Sequence, residues 1–396
     1  LKFKMTYGLV GNDAIGSSDD RFYYLSEVNP NDGGRGQYFG TNYGNQMNGV
    51  STSRYPNTNI TWEKSKKGNF GIELGMFNSA LEVQADFFYE RRTQIYQNRA
   101  YIPSTMGLSA GVSANIGEAS SRGIDLSANY SYIANKDFWI KGMGNFTLAK
   151  GRYEVYEELD YASYGQGYRS RIGQAINHNY GYIAERLFID VNDVANSPSQ
   201  TSFNGGAMPG DIKYKDLNGD NIIDDNDQCP IGNPIYPQLT AGITAGFEYK
   251  GFDFSMLWAG SGKVSRFISA GLRVPFGGGN YGLLQYMIDD HWTPETAETA
   301  KTPRFSGAAN ANNYTRNSTL WLKDASYIRL KNVQIGYTFK GEWMKKIHLK
   351  NMRIYASGEN LLTFDHLKIA DPEATDDKQF QYPLQMIFNI GLNLNF

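Results

Sequence analysis

The last thirteen residues of the chain, Leu384 to Phe396, alternate between apolar and mostly polar or small side chains and end on an aromatic. Leu384, Met386, Phe388, Ile390, Leu392, Leu394 and Phe396 fall on one face of an extended segment. Gln385, Ile387, Asn389, Gly391, Asn393 and Asn395 fall on the other, where only Ile387 is large and apolar. Successive side chains of a strand point to opposite faces, so this segment carries one unbroken oily face. A sandwich in water could bury such a face. The length, however, suits a tilted strand crossing a bilayer, which takes about 9–11 residues. The pattern predicts an all-β chain, a transmembrane antiparallel β-barrel.

The same period recurs upstream. Phe70, Ile72, Leu74 and Met76 approach a turn at Asn78-Ser79, and Leu81, Val83, Ala85, Phe87 and Tyr89 leave it. Ile124 to Tyr132 and Phe138 to Leu148 flank Ala134-Asn135-Lys136, and Leu239 to Tyr249 and Phe252 to Trp258 flank Lys250-Gly251. Val333, Ile335, Tyr337 and Phe339 form another stripe, and a less regular strand at Met352–Glu359 precedes the last. Apolar alternation on both sides of a short Gly/Asn turn predicts a hairpin.

Between the hairpins lie long polar excursions, 10–66, 92–122, 151–236, 261–324 and 361–382. Such lengths are rare inside a compact domain and usually carry function. Short turns at one end and long loops at the other are the asymmetry of an outer-membrane barrel. Counting ten spanning strands puts both chain ends on the short-turn side and every excursion outside the cell. Ten strands leave two open edges, so the expectation is part of a larger barrel. Leu1, Phe3, Met5 and Tyr7 already alternate, with no signal peptide before them, so more chain is expected upstream.

Composition agrees with this. No stretch approaches the roughly 18 uncharged apolar residues of a membrane helix, and in a barrel every second residue faces water, which keeps mean hydropathy low. The 43 glycines, 28 tyrosines and 14% aromatics suit tight turns and interfacial girdles. A net charge of −2 gives no footprint for nucleic acid. Cys229 is the one cysteine, so no intrachain disulfide can form.

The sharpest chemical motif runs from Asp216 to Asp227. Side-chain oxygens of Asp216, Asn218, Asp220, Asp224 and Asp227 stand at positions 1, 3, 5, 9 and 12, and Ile222 offers a backbone carbonyl at 7. Calcium takes six to eight oxygens, and this spacing predicts a structural Ca2+ site. Position 6 is Asn221 instead of Gly, and position 12 is the shorter Asp instead of Glu. The competing reading is an Asx-rich turn without metal. A dockerin-like module resembles the motif but usually has two copies, and one is present.

Gly260-Ser261-Gly262-Lys263 fails as a phosphate loop, because Leu257 stands where the first Gly belongs and Val264 follows the Lys; it is expected at the outer mouth of a hairpin. His178, His291, His348 and His366 are scattered, without metal-ligand spacing, and no nucleophile elbow or carboxylate pair stands out. No catalytic constellation is found, and the chain is expected not to be an enzyme.

Several segments together resemble the SusC/RagA family of TonB-dependent outer-membrane transporters of Bacteroidota. They are Asn59–Lys64, Asn115–Asp125, Tyr180–Phe188, Pro209–Asp227, His291–Pro294, Trp321–Tyr337, Ile354–Thr363 and Tyr382–Phe396, in that order. The resemblance covers residues 1–396 as the C-terminal part of a barrel of about 22 strands. The strand count already makes 151–236 and 261–324 long extracellular loops, the first carrying the calcium motif at 216–227. The resemblance implies an N-terminal plug and a TonB-contacting segment, both absent here, through which TonB-ExbB-ExbD would act. It further implies a SusD-like surface lipoprotein as lid, outer-membrane lipid around the barrel, and a glycan or peptide substrate.

Phe388, Ile390, Leu392, Leu394 and Phe396 fit an outer-membrane assembly signal, the alternative being an ordinary last strand with an apolar end. Tyr153, Tyr156, Tyr161, Tyr164, Tyr168, Tyr281, Tyr286, Trp292 and Tyr314 either pack within loops or line a substrate vestibule. The expected function is import of a large nutrient. A non-transporting binding or structural barrel is the alternative, and an outer-membrane hydrolase comes third.

Overall fold

The computed structural model describes residues 1–15, 22–203, 205–276, 282–306, 311–346 and 348–396. Ten long strands form one antiparallel sheet in which each pairs with its neighbour in sequence. They are β1 (Lys2–Asn12), β2 (Glu63–Met76), β3 (Leu81–Asn98), β4 (Ser113–Asn135), β5 (Phe138–Val155), β6 (Leu239–Tyr249), β7 (Phe252–Gly262), β8 (Tyr327–Phe339), β9 (Asn351–Asp365) and β10 (Ile387–Asn395). The sheet is open: β1 pairs only with β2 and β10 only with β9.

Turn chemistry explains the tight connections. Phe77, Asn78 and Ser79 hold φ of 54°, 55° and 64° between β2 and β3. Lys250 and Gly251 hold φ of 48° and 86° between β6 and β7. Two positive φ values in a two-residue loop match the right-handed twist of the flanking strands. At Lys136-Asp137 the Asn135 side chain accepts the Asp137 amide at 2.8 Å. The β8–β9 connection, 340–350, is looser and carries a short helix, Glu342–Lys345.

Register joins the separate oily stripes into one band. Met5 faces Phe70, Phe70 faces Phe87, Phe87 faces Ile124, and Ile124 faces Leu148. Phe146 faces Ala241, Phe247 faces Phe254, Phe254 faces Ile335, Tyr337 faces Ile354, and Ile354 faces Leu392. No second sheet or helix covers this band among the described residues. Phe388 and Ile390 are 74% and 87% exposed, and the ring of Phe247 lies against those of Phe252 and Phe254 in the same sheet, centroids 5.8 and 5.7 Å away. Leaving so many large apolar groups uncovered in water would be costly, at roughly 25 cal/mol per Å2. Hydrocarbon is the solvent that fits.

The opposite face is polar. Lys4 Nζ pairs with Glu73 at 2.8 Å and with Asp86 at 3.7 Å, and Asn69 also donates to Asp86. Arg353 grips Asp253 with two bonds of 2.8 and 2.6 Å. That pair spans three strands, and the strand between contributes Gly336. A Cβ there would sit 2.7 Å from both Arg353 Nη2 and Asp253 Oδ2. Gly71 plays the same part between Lys4 and Asp86.

β3, β4 and β5 run 18, 23 and 18 residues, well beyond the bilayer at about 3.3 Å per residue. The expected excursion 92–122 is therefore mostly strand, with a connection of only 99–112. Likewise the chain between β5 and β6 is 156–238, and that between β7 and β8 is 263–326. These two segments, with 366–386 between β9 and β10, fold together into a cap at the long-loop end of the barrel.

Candidate functional site

The cap has a hydrophobic core of its own. Tyr182, Leu187, Phe203, Ile212, Tyr214 and Ile223 from 156–238 pack with Ile268, Leu272, Val274, Tyr314 and Trp321 from 263–326 and with Leu367. Short ladders frame it: His178–Gly181 with Cys229–Pro234, Ala184–Leu187 with Ile212–Tyr214, and Ser265–Phe267 with Leu322–Asp324.

A buried polar hub binds the two long segments. Asp211, 1% exposed, accepts Arg304 Nε at 2.7 Å, Asn313 Nδ2 at 2.9 Å and the Met208 amide at 2.9 Å. Gln200 donates to the Ile212 carbonyl and accepts the Tyr214 amide, both at 2.9 Å. Gly210, at φ 83°, lies so close to the Trp292 ring that a Cβ would fall 2.6 Å from it. The Pro209–Asp227 and His291–Pro294 segments are therefore packing partners. With Asp211 and Gln200 each making several hydrogen bonds, such a network rigidifies its surroundings.

The segment 366–386 is latched from inside. Arg329 on β8, 3% exposed, donates to Asp371 at 2.8 Å, to Glu373, and to Thr363 at 2.8 Å. Lys331 Nζ lies 2.6 Å from both Glu373 oxygens, and Tyr327 also bonds Glu373. Burial disfavours the charged form of Glu373, but bonds from Lys331 and Tyr327 and the nearby Arg329 charge outweigh it and lower its pKa. Sequence pattern gave no sign of this latch.

The 216–227 loop adopts a nested turn. Asp216 accepts the Gly219 and Asn221 amides at 2.6 and 2.8 Å, Asn218 accepts Asp220 at 3.0 Å, and Asp220 accepts Ile222 at 2.8 Å. Asn221 takes φ 62°, the left-handed conformation that position 6 requires. Asp227, fully enclosed, accepts the Leu217 amide at 2.8 Å and the Asp224 amide at 2.9 Å. Burial raises its pKa, and the neighbouring Asp216 charge adds to the effect. The carboxylates thus point at backbone amides, and among the described residues no three acidic, His or Cys side chains converge as a metal cluster. The backbone loop fits the expected ligand spacing; the side chains are turned as in an Asx-rich turn.

The remaining candidates separate. Phe388, Ile390, Leu392 and Leu394 are exposed on β10, and Phe396 follows it. Lys263, at φ 54°, follows β7 at its outer end, as expected of a hairpin mouth. Cys229 is buried in a strand, and burial pushes its thiol up. The four histidines do not meet; His178 and His291 bond the carbonyls of Ala175 and Ile288. Among the tyrosines, Tyr314 is core, Tyr168 donates to the Asn226 carbonyl at 2.8 Å, and Tyr161 and Tyr156 stack under Arg169 and Arg171. Tyr164 is 76% exposed. Tyr281 lies outside the described residues.

A continuous oily outer band, a charged inner face and a folded outer cap define the C-terminal portion of an outer-membrane β-barrel. The chain belongs to the family described as TonB dependent receptor-like, beta-barrel, whose model matches residues 26–361. It is 29% identical to TonB-dependent receptor P3 of Formosa agariphila, over 100% of this chain and 39% of that protein. It is 25% identical to TonB-dependent receptor SusC of Bacteroides thetaiotaomicron, over 100% of this chain and 37% of that one. The solved RagAB peptide transporter shares the fold, with TM-score 0.70 and 21% identity over 100% of this chain and 40% of that chain. The chain thus spans about two fifths of the relatives it matches.

Proposed function

We propose that the protein carrying this chain imports a large nutrient, an oligosaccharide or an oligopeptide, across the outer membrane. Energy would come from TonB-ExbB-ExbD through the rest of the chain, and a SusD-like lipoprotein would close over the cap. The observation that carries this reading is a folded cap at the long-loop end of a barrel wall with one polar face and one lipid-facing face. Such a wall lets a polar solute pass without touching hydrocarbon, and a locked cap presents loop side chains at fixed positions for selection. Relatives named as TonB-dependent receptors and a fold neighbour titled a peptide transporter support the same reading.

The test is uptake of labelled oligosaccharide and oligopeptide pools by cells with the intact gene, without it, and without TonB. Import predicts loss of accumulation in both deletions. Surface binding that persists in the TonB deletion, with no accumulation in any strain, would instead support a non-transporting binding barrel.

Two subsidiary roles belong to this reading. The 216–227 loop takes a structural Ca2+ through Asp216, Asn218, Asp220, Asp224, Asp227 and the Ile222 carbonyl; the left-handed Asn221 and the enclosed Asp227 carboxyl support it. Binding would require the carboxylates to exchange amide partners for the ion. The face Phe388, Ile390, Leu392, Leu394 and Phe396 serves as the assembly signal, supported by its exposure on the last strand.

A further inference from the structure

A cavity of about 530 Å3 opens between two segments of the cap. One wall is Phe267 to Gly271 with Arg273; the other is Asp376, Asp377, Phe380 and Gln381. The walls are fixed to each other. Gln379, 6% exposed, accepts the Ser269 amide at 2.9 Å and donates to the Phe267 carbonyl at 2.8 Å. Arg266 Nη1 stands 3.7 Å from Asp376 Oδ1.

Arg273 ends a short helix, Ala270–Arg273, at the cavity edge. Its Nε and Nη1 are buried and lack any hydrogen-bond partner, and it makes no ion pair among the described residues. The same cavity holds two more buried polar atoms without a hydrogen bond, Ser269 Oγ and Asp376 Oδ1. Elsewhere in the cap Asp211 and Arg329 are bonded several times over, and Arg169, Arg266 and Arg316 each leave one buried nitrogen, Nε, unbonded, against two at Arg273. A half-buried guanidinium without a counter-ion is costly, and this fork geometry matches a carboxylate. Burial lowers its pKa, outweighing the opposing effects of Tyr214, Tyr286 and Asp376.

We propose that this cavity is a subsite for a carboxylate carried by the imported oligomer, with Arg273 as its recognition residue. The guanidinium turns its donor edge to the incoming anion, so the charge gains the partner it lacks. Asp376 and Ser269 on either side take the hydroxyl or N–H donors that flank such a carboxylate, and Phe380 packs against the ligand's apolar face. A cavity of this size accommodates two or three residues of an oligomer. The carboxylate comes from a uronic-acid unit of a glycan or from the free end of a peptide. This inference rests on the import reading above and adds a chemical requirement to its substrate.

The experiment uses the full-length protein purified from outer membranes with its lipoprotein. Calorimetry compares oligogalacturonate with its methyl ester, and tetra-alanine with its C-terminal amide. The expected result is that one free acid binds at least about tenfold more tightly than its neutral form, as a charge-assisted bidentate pair implies. That preference should vanish in Arg273→Met and persist in part in Arg273→Lys. The series showing the preference identifies the source. Equal binding of acid and neutral forms, no binding of either acid, or a preference surviving in Arg273→Met overturns the proposal. Since the first comparison uses unsubstituted protein, a folding failure of the variant leaves the test intact. Uptake by cells without acid preference would sink the subsite alone, and acid binding without uptake would sink import alone.

Discussion

Replacing Arg329 with Met should release the 366–386 segment while the barrel stays assembled. Arg329 and the two carboxylates it holds, Asp371 and Glu373, are 3%, 15% and 25% exposed at their side chains. Each is below a third, so the magnitude for breaking a buried pair applies, about 3–5 kcal/mol. Lys331 stays on Glu373 at 2.6 Å, which places the loss at the lower end, about 3 kcal/mol. That lowers the local opening free energy by about two decades in equilibrium constant. Hydrogen exchange of the full-length protein in detergent should therefore quicken about a hundredfold in peptides covering 366–386. Peptides of β8 and β9, held by their own ladder from Tyr327↔Asp365 to Phe339↔Met352, should be unchanged. The same segment should loosen in acid. The Glu373 pKa is lowered on folding, so its contribution is complete above the ordinary carboxylate range and is lost as pH falls towards the lowered value. Less than a threefold change in exchange, or an equal change in β8 and β9, would refute the latch.

Four further outcomes follow from particular contacts. Asp193, held by Arg186 and Lys213, has its pKa lowered chiefly by the Arg186 bonds, so the turn at 186–193 should be fully stable above pH ~4 and fray as pH falls further; Asp193→Asn should remove that dependence in a proteolysis series. Gly336→Val drives a side chain into the Asp253–Arg353 pair, and a cost of about 1–3 kcal/mol should appear as a lower temperature for loss of the heat-resistant barrel on gels. Calcium at 100 times its dissociation constant should stabilise the cap by about 2.7 kcal/mol against proteolysis at 216–227, an effect that Asp227→Ala abolishes and magnesium does not reproduce. Removing Phe396 should lower the amount assembled in the outer membrane, scored by surface labelling, without changing total synthesis.

What could be read from the chain divides along a physical line. Alternation is a local property, so Phe247, Phe254 and Phe388 announced their shared face without any knowledge of their partners, and Lys250-Gly251 marked its turn by the same locality. The outer halves of β3 and β4 escaped because both their faces are polar above the membrane. Ser120 and Ser121 pair in register with Arg91 and Glu90 yet show no oily stripe. The 216–227 turn was legible as an Asx-rich segment, but spacing does not say that Asp216 and Asp227 would turn to amides.

The cap was the least legible part because its determinants are distant in sequence. Asp211 meets Asn313, Gln200 meets Asn312, and Arg329 meets Glu373 only after three loops have converged. Each partner alone is an ordinary polar residue among many. On the proposed import reading the arrangement is accounted for: a surface selecting a polar solute must expose fixed polar groups, and loops hold them fixed by burying most other polar groups in bonds. Arg273 is then informative because it departs furthest from that rule, where Arg169, Arg266 and Arg316 leave Nε alone unbonded. In a cap where Asp211 and Arg329 are saturated, a guanidinium with two unbonded buried nitrogens marks the place where a partner arrives from outside the described residues.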